Sequence, residues 1–478
     1  MKNEQFNKPD LKDARKRSKI ESIVSEFHYN NLISNIGENK KYIIQTHGCQ
    51  ANEADTEKIK GLLESQGFTP ALDETEADLI IINTCAIRAN AENKVFGEIG
   101  RFKRLKMKKP DLVIAIGGCM PQEEVVVEKL LKTYRQVDII FGTHNLHKLL
   151  DYLAIVMIEK RRVVEVLSFE GDLVENVPTV RDNRYKAWVN IMYGCDEFCT
   201  YCIVPYTRGK ERSRKPEHIL EEIQSLVNDG YQEITLLGQN VNSYGLDFTS
   251  RAYRFSDLLK DVSALNIPRI RFTTSHPKDF SLALIEALAK GKNLMPFIHL
   301  PVQSGSNRIL KMMNRKYTKE SYIELINTIR NLIPGVSITT DIIVGFPSET
   351  EAEFQETMDL VRTCQFEGAY TFVFSKRTGT PAALMEDLTP TEEKKDRLYR
   401  LNDLINEGFL RGNERFLDTN VKVLVEGPSK SNKDFLCGYT EHNKLVNFRG
   451  NPENIGTIID LHITEAKTWS LKGEVLHE

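Results

Sequence analysis

Ala187-Trp188-Val189-Asn190-Ile191-Met192-Tyr193-Gly194-Cys195-Asp196-Glu197-Phe198-Cys199-Thr200-Tyr201-Cys202 is an apolar run that ends in a loop with three cysteines. The run Ala187–Met192 reads as a buried strand, so the loop sits at a strand's carboxyl end. Spacers of three and two residues bring three thiolates within one tight curve. Three soft thiolates suit an iron-sulfur cubane that keeps one iron open, better than a structural zinc, which normally takes four ligands.

Downstream, the pattern repeats. Candidate strands lie at Glu233–Leu237, Arg269–Thr273, Phe297–Leu300, Ser337–Val344 and Ala369–Phe374, with helical segments at Pro216–Asn228, Asp279–Ala289, Lys319–Leu332 and Glu351–Thr363. Six such strand-helix units form most of a parallel barrel. Polar groups gather just past the strands: Gly238-Gln239-Asn240, Ser275-His276, Gln303-Ser304-Gly305, Gly345-Phe346-Pro347 and Ser375-Lys376-Arg377. In a barrel that rim carries the chemistry, which makes Gln239, Gln303 and Gly345 candidate cofactor contacts by position.

Upstream, three apolar runs each end at a cysteine: Tyr42-Ile43-Ile44 before Cys49, Leu79 to Ile82 before Cys85, and Leu112 to Ile116 before Cys119. Separations of 36 and 34 residues match strand-helix-strand units of an open parallel sheet. Sites in such sheets form outside the carboxyl ends of the strands, so the fold is expected to gather these three cysteines into a second triad. The alternatives are cysteines that merely pack as small hydrophobes, or a zinc site completed by His47, His144 or His147. Cys364 and Cys437, lying in a helical and a β segment, read as packing residues.

At 478 residues the chain exceeds one hydrophobic core, and its 41% apolar and 27% charged residues are ordinary globular values. A net charge of −3 gives no global attraction to nucleic acid. Local basic runs exist at Arg101–Lys109, with six cations in nine residues, and at Arg208–Lys215, with five in eight. Arg208 and Arg212 in the second run are the candidate RNA contacts. The apolar stretch Leu149–Ile158 is interrupted by Asp151 and is about half of what a membrane span needs. The basic start of the chain, with no apolar core behind it, is not a signal peptide, so a cytoplasmic protein is expected, and clustered cysteines there point to metal or catalysis rather than disulfides.

The expected organisation is a polar extension over 1–39 with a short basic helix at Leu11–Arg17, an open parallel-sheet α/β domain over 40–158, a linker over 159–184, a partial (β/α)6 barrel over 185–412 and a small antiparallel β-barrel over 414–477. Eight Lys or Arg against ten Asp or Glu from Glu414 to Glu478 give that last segment no basic surface.

The CxxxCxxC spacing with an aromatic at Tyr201 is the signature of radical S-adenosylmethionine enzymes. With a three-cysteine α/β domain ahead of it, the chain resembles the methylthiotransferases of that superfamily. The strings Asn83-Thr84-Cys85-Ala86-Ile87-Arg88, Ala91 to Gly97, and Ile203-Val204-Pro205-Tyr206-Thr207-Arg208-Gly209 through Arg214 are similar to the bacterial branch that acts on isopentenyl-adenosine of tRNA. Related branches act on threonylcarbamoyl-adenosine or on a ribosomal-protein aspartate. A protein that only binds RNA would not need an open iron.

The resemblance implies two 4Fe-4S clusters. The one at Cys195, Cys199 and Cys202 would bind S-adenosylmethionine and cleave it to a 5′-deoxyadenosyl radical that takes hydrogen from C2 of the adenine. The other, at Cys49, Cys85 and Cys119, would supply sulfur, and a second S-adenosylmethionine the methyl group. It also implies a TRAM domain at the C-terminus. The implied partners are the tRNA anticodon stem-loop, an electron-donor protein of flavodoxin or ferredoxin type and a sulfur donor.

Overall fold

The computed structural model describes residues 16, 22–30, 34–86, 89–167, 173–250, 252–430 and 432–476. The helix expected at Leu11–Arg17 lies almost wholly outside them. The chain forms two compact units, one of Met1–Asp182, Met192–Arg212 and Arg377–Ala383, the other of Asn183–Ile191, Ser213–Lys376 and Leu384–Glu478. The Cys195–Cys202 loop therefore belongs to the first unit, although its sequence lies inside the barrel region.

The first unit is built on a six-stranded parallel sheet. Its strands lie in the order Thr69–Pro70, Lys41–His47, Leu79–Thr84, Val113–Gly118, Ile139–Phe141 and Val163–Glu165. Every residue of Leu79–Thr84 and Val113–Gly118 is buried. That is why both read as continuous apolar runs rather than alternating ones: each side of the sheet has its own core, one around Ile59, Leu62 and Leu153, the other around Ile99, Phe102 and Leu130. The stretch 159–184, expected as a linker, instead supplies the sixth strand Val163–Glu165, paired to Ile139–Phe141. The apolar helix Leu149–Glu159 packs into the first core, and no helix of the described residues is long and apolar enough to cross a membrane.

In the second unit six parallel strands follow one another in chain order. Lys186–Asn190, Glu233–Leu237 and Arg269–Phe272 form one sheet, and Phe297–His299, Ser337–Val344 and Ala369–Val373 form the other. A bridge between Ile270 and Leu294 links the two stretches. Helices at Pro216–Asn228, Lys319–Leu332 and Glu351–Cys364 fall where periodicity places them. The 24-residue helix Thr391–Glu414 was not read from the sequence. Its charged residues outnumber its apolar ones, which hides the face that packs on the last strand.

Five strands from Asn420 to Val475 close a small barrel around Val423, Val425, Phe448, Leu461 and Ile463. Four of its pairings are antiparallel, as expected. The fifth, Leu445–Phe448 with Leu471–Val475, is parallel and closes the ring.

Candidate active site

The sheet register gathers the first triad. His47 pairs with Thr84 and Thr84 with Gly118, so the chain leaves three neighbouring strands at one level, and Cys49, Cys85 and Cys119 follow within two residues. Buried amides fix the turns. Asn52, one turn into the helix Gln50–Glu64, donates to Asn83 Oδ1 at 3.2 Å and to Thr84 O at 3.1 Å, while Asn83 donates to Asn52 O at 2.8 Å and to Thr56 Oγ1 at 3.0 Å. Gly118 has φ of +97°, and a Cβ there would stand 2.3 Å from Thr84 O. Its backbone freedom lets Cys119 N–H donate to that same oxygen at 2.8 Å.

The thiols sense one another. A hydrogen bond with Cys85 lowers Cys49 to about 5, against the opposing effect of burial and with help from the Arg208 charge. Burial pushes the Cys119 thiol up, opposed by Arg208. His47, one candidate for a further ligand, is spent on Glu98, with Nε2 to Oε2 at 2.6 Å.

The second triad sits in a loop closed on itself. Cys195 N–H donates to Gly209 O at 3.1 Å, and a Cβ on Gly194 would stand 1.9 Å from Lys210 O, so only glycine lets the two ends meet. Cys202 N–H donates to Cys199 O at 3.0 Å, and Phe198 takes a left-handed φ of +48°. Burial pushes the Cys195 thiol well up, and Glu211, Cys199 and Cys202 push it further. Crowded thiols of this kind hold charge only when a cation shares it, which is the property of a cluster site. Tyr201 lies half-buried in the same loop.

Phe198, Ile203 and Tyr206 pack with Ala86 and Cys119 in one buried apolar cluster. The two triads are thus held in a single unit and share a core.

Arg208 and Arg212, the expected RNA contacts, are both buried among protein groups. Each is 6% exposed. Arg208 donates to Asp55 Oδ2 at 2.8 Å and Arg212 to Arg208 O at 3.2 Å. A run of positive charge next to a catalytic loop has the same sequence signature whether it faces solvent or an internal carboxylate. In the other basic run, Arg101 pairs with Glu74, Lys106 with Asp138 and Lys109 with Asp78, while Lys103, Arg104 and Lys108 are exposed.

In the second unit Gln239, Gln303 and Gly345 all lie past strand carboxyl ends. Gln303 is buried with φ of +72°, its N–H donating to Asp341 O at 2.8 Å. Gly345 N–H donates to Glu349 Oε2 at 2.6 Å, and Arg397 donates to Glu349 O at 3.0 Å. Burial pushes Glu349 up to about 7 despite these partners. At the same rim Asn240 Oδ1, Asn242 Nδ2 and Ser275 Oγ are buried without a hydrogen-bond partner. Orphaned buried polar atoms are expected where a polar ligand completes them.

The barrel's inner face is unevenly filled. Glu233–Leu237 and Arg269–Phe272 are wholly buried, whereas Tyr370 and Phe372 are 64% and 41% exposed on the face opposite the helix Thr391–Glu414. Beside them stand Asp341, paired with His299 at 3.3 Å, and Ile343.

Three family models match the chain: "Uncharacterized protein family UPF0004" over 41–142, the "Radical SAM superfamily" over 189–361 and the "TRAM domain" over 417–476. A relative from Oceanobacillus iheyensis named tRNA-2-methylthio-N(6)-dimethylallyladenosine synthase is 56% identical over 97% of this chain and 90% of its own length. Relatives of the same name from Anoxybacillus flavithermus and Staphylococcus epidermidis are 55% and 54% identical over 99% of the chain. The chain belongs to this synthase family.

Among solved structures, the radical S-adenosylmethionine methyltransferase TsrM from Kitasatospora setae superposes with a TM-score of 0.53 at 15% identity, covering 72% of this chain and 75% of its own. That likeness concerns the fold alone. As a member of the synthase family the chain uses iron-sulfur and S-adenosylmethionine chemistry, and the donor sets fit: three converging thiols in each triad, and unpartnered polar atoms at the barrel rim. What sequence reading passed over are the residues that set these geometries. Asn52, Asn83 and Gly118 for the dispersed triad, and Asn242 at the rim, carry no chemistry of their own, and their part shows only once their hydrogen-bond partners and close approaches are seen.

Proposed function

We propose that the chain inserts sulfur and a methyl group at C2 of isopentenyl-adenosine at position 37 of tRNA, beside the anticodon. It is a radical S-adenosylmethionine enzyme of tRNA modification. One observation carries the rest of the reading: two cysteine triads of different design lie in one compact unit around a shared apolar cluster.

Each triad would hold one 4Fe-4S cluster, the tight one supplying the electron that cleaves S-adenosylmethionine and the dispersed one supplying sulfur at an open iron. Phe198, Ile203 and Tyr206 exclude water from the side of the dispersed triad at Cys119. Gln239, Gln303 and Gly345, with Asn240, Asn242 and Ser275, are proposed S-adenosylmethionine contacts of the second unit, and Tyr201 is a proposed contact of the first. Tyr370, Phe372 and Ile343 offer stacking area and apolar room that suit an adenine with a branched apolar substituent.

The TRAM barrel supports RNA binding, with the anticodon stem-loop as the proposed ligand. A flavodoxin- or ferredoxin-type donor, a sulfur donor and a cytoplasmic location complete the proposal. The test is anaerobic reconstitution with iron and sulfide, addition of dithionite and S-adenosylmethionine, and mass spectrometry of nucleosides from hypomodified tRNA. Thiomethylated isopentenyl-adenosine with 5′-deoxyadenosine is expected. Deoxyadenosine without it would move the substrate to threonylcarbamoyl-adenosine or a ribosomal-protein aspartate, and neither product would leave a non-enzymatic RNA-binding protein.

A further inference from the structure

Arg208 follows the Cys195–Cys202 loop in sequence, yet its guanidinium lies against the other triad. It donates to Asp55 Oδ2 at 2.8 Å, Tyr206 two residues before it packs with Cys119 in one buried cluster, and its charge acts to lower the Cys119 and Cys49 thiols. Asp55 sits on the helix that begins just after Cys49, and it is also buried. A buried cation is costly unless compensated. Asp55 alone would balance Arg208, so nothing in the ion pair requires cysteines beside it, yet both of its charges act on Cys119. Guanidinium is also suited to this place: it carries five N–H donors in a rigid fork and keeps its charge when desolvated.

We propose that Arg208 is a positioning residue of the Cys49/Cys85/Cys119 cluster, donating hydrogen bonds to sulfur and raising that cluster's reduction potential, with Asp55 limiting the size of the effect. The physical basis is that net charge and hydrogen bonds to sulfur are main determinants of cluster potential. A nearby positive charge favours the form with one more electron. The inference rests on the two-cluster reading above.

The test uses the full-length chain with Cys195, Cys199 and Cys202 changed to Ala, so that only the dispersed cluster loads. Iron and sulfide per chain are counted, and the potential is measured by dithionite titration followed by electron paramagnetic resonance. Arg208→Gln is expected to make reduction harder, shifting the oxidised-to-reduced ratio at fixed potential at least tenfold, which is about 59 mV for one electron. Arg208→Lys keeps the charge and should fall between Arg208→Gln and the parent. Asp55→Asn removes the opposing charge and should shift the ratio the other way. Loosened packing would not give opposite signs for the two members of one ion pair.

If Arg208→Gln loads iron to the parent level with an unchanged potential, the proposal is wrong. Should Arg208→Gln lose its iron, Asp55→Asn decides: a shift toward easier reduction supports the proposal, and no shift or the opposite one overturns it. A parent that loads no iron would instead sink the two-cluster reading, and this inference with it.

Discussion

At the scale of single residues, the six cysteines are identical in chemistry and differ only in surroundings. Cys49 is lowered to about 5 by its hydrogen bond to Cys85 and by the Arg208 charge, whereas Cys195 is pushed up by burial and by Glu211. Iodoacetamide labelling of the iron-free protein should therefore modify Cys49 with half-maximal rate near pH 5, while Cys195 resists at neutral pH. A midpoint for Cys49 near the ordinary 8.5 of a free thiol would show that these neighbours do not act on it. The two triads should also fail differently. Cys199→Ala is expected to abolish S-adenosylmethionine cleavage, and Cys85→Ala to spare cleavage while abolishing sulfur insertion. Failure of both variants to form 5′-deoxyadenosine would end that division of labour. The cysteines were legible because their residue type already limits the chemistry. Arg208 was not, because its meaning depends on Asp55, 153 positions away.

At the scale of elements, the six barrel strands and the sheet strands were readable wherever both faces are buried, since continuous apolar runs leave few alternatives. The helix Thr391–Glu414 escaped that logic. It contributes Arg397, 1% exposed, which pairs with Glu349 at 3.2 Å and with Glu393, and Lys394, whose side chain fills the space a Gly345 side chain would need. The loop after Ser337–Val344 is therefore shaped by an element some 50 residues downstream. Arg397→Ala should cost about 3–5 kcal/mol in urea unfolding at pH 8, because it strands a buried carboxylate. The sign with pH follows from Glu349. Its folded value, raised to about 7 chiefly by burial, means that protonation relieves the uncompensated charge as pH falls. The deficit of the variant should shrink between pH 8 and pH 5. An equal deficit at both values would count against a charged Glu349.

At the scale of the whole molecule, the C-terminal barrel is joined to the starts of the (β/α) strands by buried charge. Arg269 donates to Tyr439 O at 2.8 Å and Lys422 O at 2.9 Å, Arg271 to Thr440 O at 2.7 Å and Glu441 O at 3.0 Å, and Lys186 to Glu426 at 2.6 Å. Glu233, 3% exposed, sits among Arg271, Arg269 and Lys186. Ending the chain at residue 413 should thus destabilise the (β/α) barrel by several kcal/mol as well as removing the TRAM barrel. A truncated chain that melts at the parent temperature would show the junction to be energetically neutral. Sequence alone determined the order of domains, the barrel strands and the six cysteines, because hydrophobic period and thiol chemistry are local properties. The tertiary structure decided that the Cys195–Cys202 loop belongs to the unit of the other triad, that the expected linker adds a strand, and that Arg208 is buried against Asp55 rather than exposed to solvent. These depend on which distant groups a buried charge or an unpaired strand edge finds, and no local pattern records the partner.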